Sequence, residues 1–281
     1  MRNEGIYITV HDDVTEQISI VEDDGSEIGL RLPFFEETDS GEVSADGLLV
    51  FDNGNGSRTA PVPREDGSIQ VNTVIESSIA PKEYQYKFSS SEGLEIHNEG
   101  GLVIFSGPDQ KFLGALAPAW AKDALGNDVA TSYRVEGDTL TQVIEHGKGS
   151  EYPIVADPWL GVKLWKKITV NTYRNQPRVN LNLSRWGWAV WSGAAQGGGA
   201  VGFAAGQTIL NNAGWTEARN RSSKVRRALG KKSQRQQYEC HALGALFAGE
   251  WNLEKFRPNR TRHWSYGVAR HRCNWTTAGR Y

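Results

Sequence analysis

Sulfur is nearly missing from this chain: its 281 residues include two cysteines, Cys240 and Cys273, and one methionine. A framework of many disulfides is thereby excluded, so any core must form by burying apolar side chains. The length suffices for two domains that each do so. Long apolar runs are missing as well. The opening Met1-Arg-Asn-Glu-Gly-Ile-Tyr7 has none of the character of a secretion signal, so an exported protein is expected to have had its signal removed. The longest uncharged stretch, residues 186–216, is richer in Gly and Ala than in Leu and Ile, which is poor material for a stable membrane span. HNH-like, His-x-His and Asp-rich metal spacings are lacking, and Gly197-Gly198-Gly199 is not followed by the Lys-Ser/Thr of a phosphate loop. Neither cofactor nor metal is expected.

Acids are scarce in the second half and bases in the first. Residues 1–159 carry 29 Asp and Glu against 10 Lys and Arg, a net charge of -19, whereas residues 160–281 carry 4 against 21, a net charge of +17. The overall value of -2 is a cancellation. A basic half of this kind points to an anionic partner: nucleic acid, membrane, wall polymer or the acidic half itself.

The acidic half reads as short strands between turns. Ile6–Val10, Gln17–Val21, Glu27–Leu32, Leu48–Phe51, Ser68–Val74, Tyr84–Phe88, Leu94–Ile96 and Leu102–Phe105 are separated by Asp24-Gly25, Asn53-Gly54-Asn55-Gly56, Glu65-Asp66-Gly67 and Glu99-Gly100-Gly101. Thr131–Val135 and Thr139–Glu145 form a hairpin around Gly137-Asp138. An all-β domain of sandwich or barrel type follows, over residues 1–158. The first 40 residues or so are acidic enough that a disordered arm is the alternative for part of them.

Tyr152-Pro-Ile-Val-Ala-Asp-Pro158 marks the charge switch and, with its two prolines, a boundary. The motif resembles one that closes a β-rich region in many secreted actinobacterial proteins, ahead of varied C-terminal modules. Beyond it, residues 159–281 read as a smaller α+β module. Apolar residues alternate at Val162 and Leu164, at Ile168 and Val170, and at Val179, Leu181 and Leu183, giving three strands. Helices are expected over 214–235 and over Gln234–Ala248, and a strand over Arg262–Cys273.

Within this module stand Cys240-His241, Trp251-Asn252-Leu253-Glu254, Arg257-Pro258 and Cys273-Asn274. Together they resemble a domain of unknown function in a family of exported actinobacterial proteins, best over residues 236–275. The resemblance implies export and a Cys240–Cys273 disulfide, not a reaction; two unrelated thiols of a cytosolic protein are the alternative. In that family a proline commonly follows Cys-Asn. Here it is Trp275, so the C-terminus is expected to pack differently. Glu254 and Arg257 stand one helical turn apart, placed for an ion pair that is worth only some tenths of a kcal/mol if exposed.

Three functional readings arise. His241, His263 and His271 with Glu254 could supply the acid and base of a nuclease, against ordinary structural roles. Nine of the ten tryptophans lie at or after Trp159 among cations, and Trp186, Trp188 and Trp191 beside the four-residue glycine spacings Gly198–Gly202 and Gly202–Gly206 could contact a membrane or partner. The bland reading places them in a core. The leading expectation is an exported antibacterial, membrane-active effector masked by an acidic carrier domain, followed by a nuclease-type toxin and by a non-catalytic binder of anionic wall polymer.

Overall fold

The computed structural model describes residues 2–3, 5–38, 40–65, 67–99, 102–108, 111–193, 199–243 and 249–281. Its internal packing divides the chain into two compact units, Met1–Val162 and Lys163–Tyr281.

The first unit is built from antiparallel strands in two sheets. One has the order Arg2–Asn3, Ile6–Thr9, Ile18–Glu22, Glu27–Arg31, Glu83–Ser89, Thr139–Ile144, Thr131–Glu136. In the other, Glu95–Glu99, Leu102–Gly107, Lys111–Leu116, Trp159–Gly161, Ile69–Ile75, Ser57–Pro63, Leu49–Asp52 and Glu42–Val43 follow one another. Alternation decides which side chains go inward. Along Glu83–Ser89 the odd positions Glu83, Gln85 and Lys87 face out, and Tyr84, Tyr86 and Phe88 enter the core. There Phe88 meets Phe105 of the other sheet at 4.6 Å, and the Tyr86 hydroxyl lies 2.9 Å from Thr73 Oγ1.

The acidic N-terminal stretch is ordered strand, not a disordered arm: Ile6, Ile8, Ile18, Ile20, Ile28 and Leu30 are all buried. Its acids are tolerated because the pleat turns them outward. Ser57–Pro63 escapes a sequence reading because Pro61 and Pro63 argue against a strand. Both are accommodated because Leu49–Asp52 pairs with this strand only at Arg58 and Thr59, leaving no ladder donor required of them on that side.

The expected boundary motif lies inside this unit. Ile154–Asp157 pairs with Trp120–Lys122 and with Thr73–Ile75, and Trp159–Gly161 continues between Ala115-Leu116 and Ile69-Gln70. The seam between units therefore falls after Val162, and residues 159–161 belong with the acidic half. Val162 and Leu164 do not form the expected strand.

The second unit holds a hairpin, Trp165–Tyr173 with Gln176–Leu183, joined by Trp251–Glu254 into a three-stranded sheet. Around it lie helices Arg185–Trp191, Gly199–Ile209, Trp215–Asn220, Ser223–Ala228, Lys232–Leu243 and Val268–His271. The uncharged stretch folds into two of these, not into a span: no described helix is long and apolar enough to cross a membrane. Ser184 caps the first, accepting from Gly187 N at 2.8 Å and donating to the Lys163 carbonyl at 2.6 Å. A Cβ at Gly187 would stand 2.1 Å from the Leu164 carbonyl oxygen, so this helix approaches as close as only glycine permits. Gly202 and the buried Gly206 lie on the second helix; Gly197, Gly198 and residues 244–248 lie outside the described residues.

That second helix runs on through a π turn, Leu210–Gly214. The Trp165 indole donates to the Gly214 carbonyl at 2.7 Å and the Tyr238 hydroxyl to that of Leu210, which satisfies acceptors released by the wider turn. The helix expected over 214–235 is broken into Trp215–Asn220, Ser223–Ala228 and the start of Lys232–Leu243, the second opened by Ser222, which accepts from Val225 N. The strand expected over Arg262–Cys273 is a turn and one short helix, bracketed by left-handed Gly267, Arg272 and Cys273 (φ 77°, 44° and 68°). Its alternation was too weak to outweigh local turns.

Asp157 is fully buried, and burial pushes its carboxyl from 3.8 up to about 7, against the opposing pull of the Trp120 and Gln70 side chains and the Arg64 guanidinium. In the unfolded chain it ionises at about 3.9. Between these values the folded state holds the extra proton, so this group's stabilising share is complete below pH of about 4 and is lost as pH rises through about 7. Asp157→Asn is expected to flatten that slope and to gain roughly 2 kcal/mol over wild type at pH of about 8 in urea melts.

Candidate functional site

Every residue of the Cys-His, Trp-Asn-Leu-Glu, Arg-Pro and Cys-Asn pattern falls in one region, where the helix Lys232–Leu243 lies against the strand Trp251–Glu254. The Cys240 and Cys273 sulfurs are 2.16 Å apart, at bonding distance, with both residues fully buried. A closed loop with a sequence separation of 33 restricts the unfolded chain, an effect of about 3 to 4 kcal/mol. Trp251 and Leu253 point into the core.

The strand's free edge is completed by side chains. Gln237 accepts from Glu254 N at 2.8 Å and donates to Glu254 O at 3.1 Å, and Gln234 donates to Leu253 O at 3.2 Å. With its amide nitrogen facing the strand, Asn274 donates to the Asn252 carbonyl at 3.1 Å and to Gln237 Oε1 at 3.0 Å. The side chains of Glu254 and Arg257 are 6% and 12% exposed and meet at 2.6 Å, so the expected pair forms and is internal. Arg257 also donates to the Trp275 carbonyl at 2.8 Å, and the Trp275 indole returns a bond of 2.8 Å to the Pro258 carbonyl. Trp275 is fully buried.

The histidines do not converge with Glu254 as an acid–base group. His241 lies flat on Trp251, with ring centroids 5.3 Å apart, both its nitrogens buried without hydrogen bonds. Burial holds it well below the usual range, at about 3, so it is neutral. His271 bonds the Trp264 and Tyr266 carbonyls and the Cys273 N–H, and His263 is exposed beside Ser265. Among the described residues no cluster of His, Cys, Asp or Glu could hold a metal ion. The tryptophans fare similarly: Trp186 and Trp191 are 1% and 7% exposed, and Trp188 is half-buried with its ring against Trp191 at 5.3 Å. They pack the core and do not form a membrane-facing surface.

What this unit turns to solvent is charge. Of its four acids, Glu217 binds Arg221 at 3.0 Å, Glu239 binds Arg235 at 3.0 Å and Glu254 binds Arg257. Glu217 also accepts from the Leu164 and Trp165 N–H groups, and burial raises its pKa. On Ser223–Ala228, Val225 and Ala228 face inward, leaving Lys224, Arg226 and Arg227 exposed. Arg219 and Arg221 precede them, and Arg221 reaches the Trp165 carbonyl at 3.2 Å, next to exposed Lys166 and Lys167. This basic face is the candidate site. The run Arg219-Asn-Arg-Ser-Ser-Lys-Val-Arg-Arg227 was the signal for it, overshadowed by the tryptophans. Comparison with protein-family models, curated proteins and solved structures finds no match to this chain.

The buried groups can be tested through stability. Arg257→Ala strands Glu254 as an unpaired buried acid and is expected to cost about 3 kcal/mol or more in chemical denaturation, with Glu254→Gln costing less. His241 takes a proton near pH 6.5 only when unfolded, so its neutral burial stabilises fully above about 6.5 and is lost as pH falls toward about 3. His241→Phe should shift the acid-unfolding midpoint downward.

Proposed function

We propose that the chain is an exported protein of two domains whose basic domain binds an anionic polymer or surface without catalysis, and whose acidic domain moderates that binding. One observation carries the reading: three of the second unit's four acids are drawn into ion pairs with arginines, and Lys167, Arg219, Lys224, Arg226 and Arg227 stand exposed on adjoining elements. A polyanion binding there gains by releasing its counterions. The cysteine pair at bonding distance supports an oxidising, extracellular setting.

The membrane-active reading relied on exposed tryptophans, and its support weakens with Trp186 and Trp191 in the core. A nuclease needs an acid and a base beside its phosphate site, and the neutral, enclosed His241 does not offer one. The binder reading needs neither. Masking has its support in the net charges alone: opposite charges tethered in one chain attract at low salt and are screened over about 8 Å at physiological ionic strength.

The full chain is expected to retain RNA and a glycerol-phosphate polymer at low salt without degrading either, and to release both as salt rises. Replacing Lys224, Arg226 and Arg227 together by Gln should reduce the slope of log affinity against log salt by about 2 to 3. Degradation of the polymer, or leakage of anionic vesicles at concentrations that leave the polymers unbound, would overturn the reading.

A further inference from the structure

The bond between Asp157 and Pro158 occupies an unusual position. It interrupts what is otherwise one strand beside Ile69–Ile75: Ile154–Asp157 pairs on one side of the break, Trp159–Gly161 on the other, and the Pro158 carbonyl accepts from Val71 N at 2.9 Å. Three groups converge on it. The Tyr133 hydroxyl donates to the Asp157 main-chain carbonyl at 3.1 Å. Gln70 Nε2 donates to Asp157 Oδ2 at 3.1 Å. Asp157 Oδ1 is buried with no hydrogen bond of regular geometry. The Trp120 side chain also bears on this carboxyl; a buried carboxyl oxygen without a well-formed hydrogen bond, beside a carbonyl already polarised by a phenol, sets a nucleophile next to an electrophile.

We propose that Asp157–Pro158 is a self-cleavage site, at which the Asp157 carboxyl attacks its own main-chain carbonyl carbon and expels the Pro158 nitrogen. Oδ1 forms a bond to that carbon, closing a five-membered anhydride. As the C–N bond breaks, the carboxyl proton passes to the departing nitrogen, which becomes the secondary amine of a new N-terminus. Water, the one co-reactant, then opens the anhydride, leaving Asp157 with two free carboxyl groups. The Tyr133 hydroxyl stabilises the oxyanion formed during attack. Proline suits the leaving position because its nitrogen bears no hydrogen, so no ladder bond holds it in place.

The reaction needs the protonated carboxyl. Burial favours its acid form, opposed by hydrogen bonds from the Trp120 and Gln70 side chains and by the Arg64 guanidinium; the nearby Tyr86 and Tyr133 hydroxyls are kept neutral by burial. Its burial-raised pKa of about 7 keeps the acid form populated in mildly acidic solution. Cleavage leaves residues 1–157 and 158–281, and both cysteines lie in the second fragment. Trp159–Gly161 stays paired in its sheet, so the fragments separate only when that sheet is opened. The proposal rests on the first unit alone and stands or falls independently of what the second binds.

Full-length protein, free of protease, would be incubated at pH of about 5 to 9 and sampled over days by intact mass and denaturing gels without reductant. Expected are fragments 1–157 and 158–281, the latter beginning at Pro158, with a rate falling about tenfold per pH unit above about 7. Hydroxylamine should trap the anhydride as a hydroxamate on Asp157. Tyr133→Phe should slow cleavage by about 100-fold, and Asp157→Glu, which must close a six-membered ring, should also slow it. A chain that stays intact overturns the proposal. So does equal cleavage by Asp157→Asn, or equal cleavage of wild type unfolded in denaturant at the same pH, which would be ordinary acid lability. Circular dichroism of each variant identifies any that fails to fold; Tyr133→Phe and Asp157→Glu perturb the reaction at different atoms, so either one suffices if the other does not fold.

Discussion

The second unit depends on how the outer edge of Trp251–Glu254 is satisfied. One edge of this strand bonds Arg178–Leu181 in the usual antiparallel way. The other would expose main-chain donors and acceptors to the interior, where each unpaired group is costly. The Gln237 amide presents one acceptor and one donor to Glu254 as a neighbouring peptide would, and Gln234 and Asn274 extend the imitation to Leu253 and Asn252. A helix thus stands in for a strand. Because the disulfide joins that same helix to the residue before Asn274, the substitute edge is fixed from both ends. The Glu254–Arg257 pair then becomes tolerable at low exposure, since Arg257 is held in turn by the Trp275 carbonyl.

Both units handle their charge by the same rule, with opposite sign. Strands of the first turn Glu83 and Lys87 outward by the pleat, and the Ser223–Ala228 helix of the second does so by placing Val225 and Ala228 on one face. Where opposite charges do meet in the second unit, they serve packing: Glu217 ties the start of the hairpin at Leu164 and Trp165 to the helix bearing Arg221. The large charge difference between units is therefore a surface property, free to serve recognition.

The β-rich first half was legible in the sequence because its strands alternate and its turns carry Gly at positions such as Gly25, Gly54 and Gly137, all with positive φ. Ser57–Pro63 was hidden, since its prolines follow an exception that only strand neighbours define. So was the strand Ile154–Asp157, where flanking prolines and a charge switch imitate a boundary. In the second half, grouping Cys240, Trp251, Glu254, Arg257 and Asn274 was possible from pattern, but the roles of Gln234 and Gln237 were not. A glutamine reads as surface until its partner strand is known. The tryptophans misled for a related reason: an amphipathic ring does not declare from sequence whether it faces water or its own kind.

The place of Trp159–Gly161 in the first unit also orders events in time. This short strand lies between Lys111–Leu116 and Ile69–Ile75, in the middle of its sheet. On a chain made from its N-terminus, the acidic unit is therefore held open until its last few residues have emerged, and closes just as the basic unit begins to appear. Each newborn copy therefore completes its acidic sheet before the basic unit has emerged in full, so the first unit folds without help from the second.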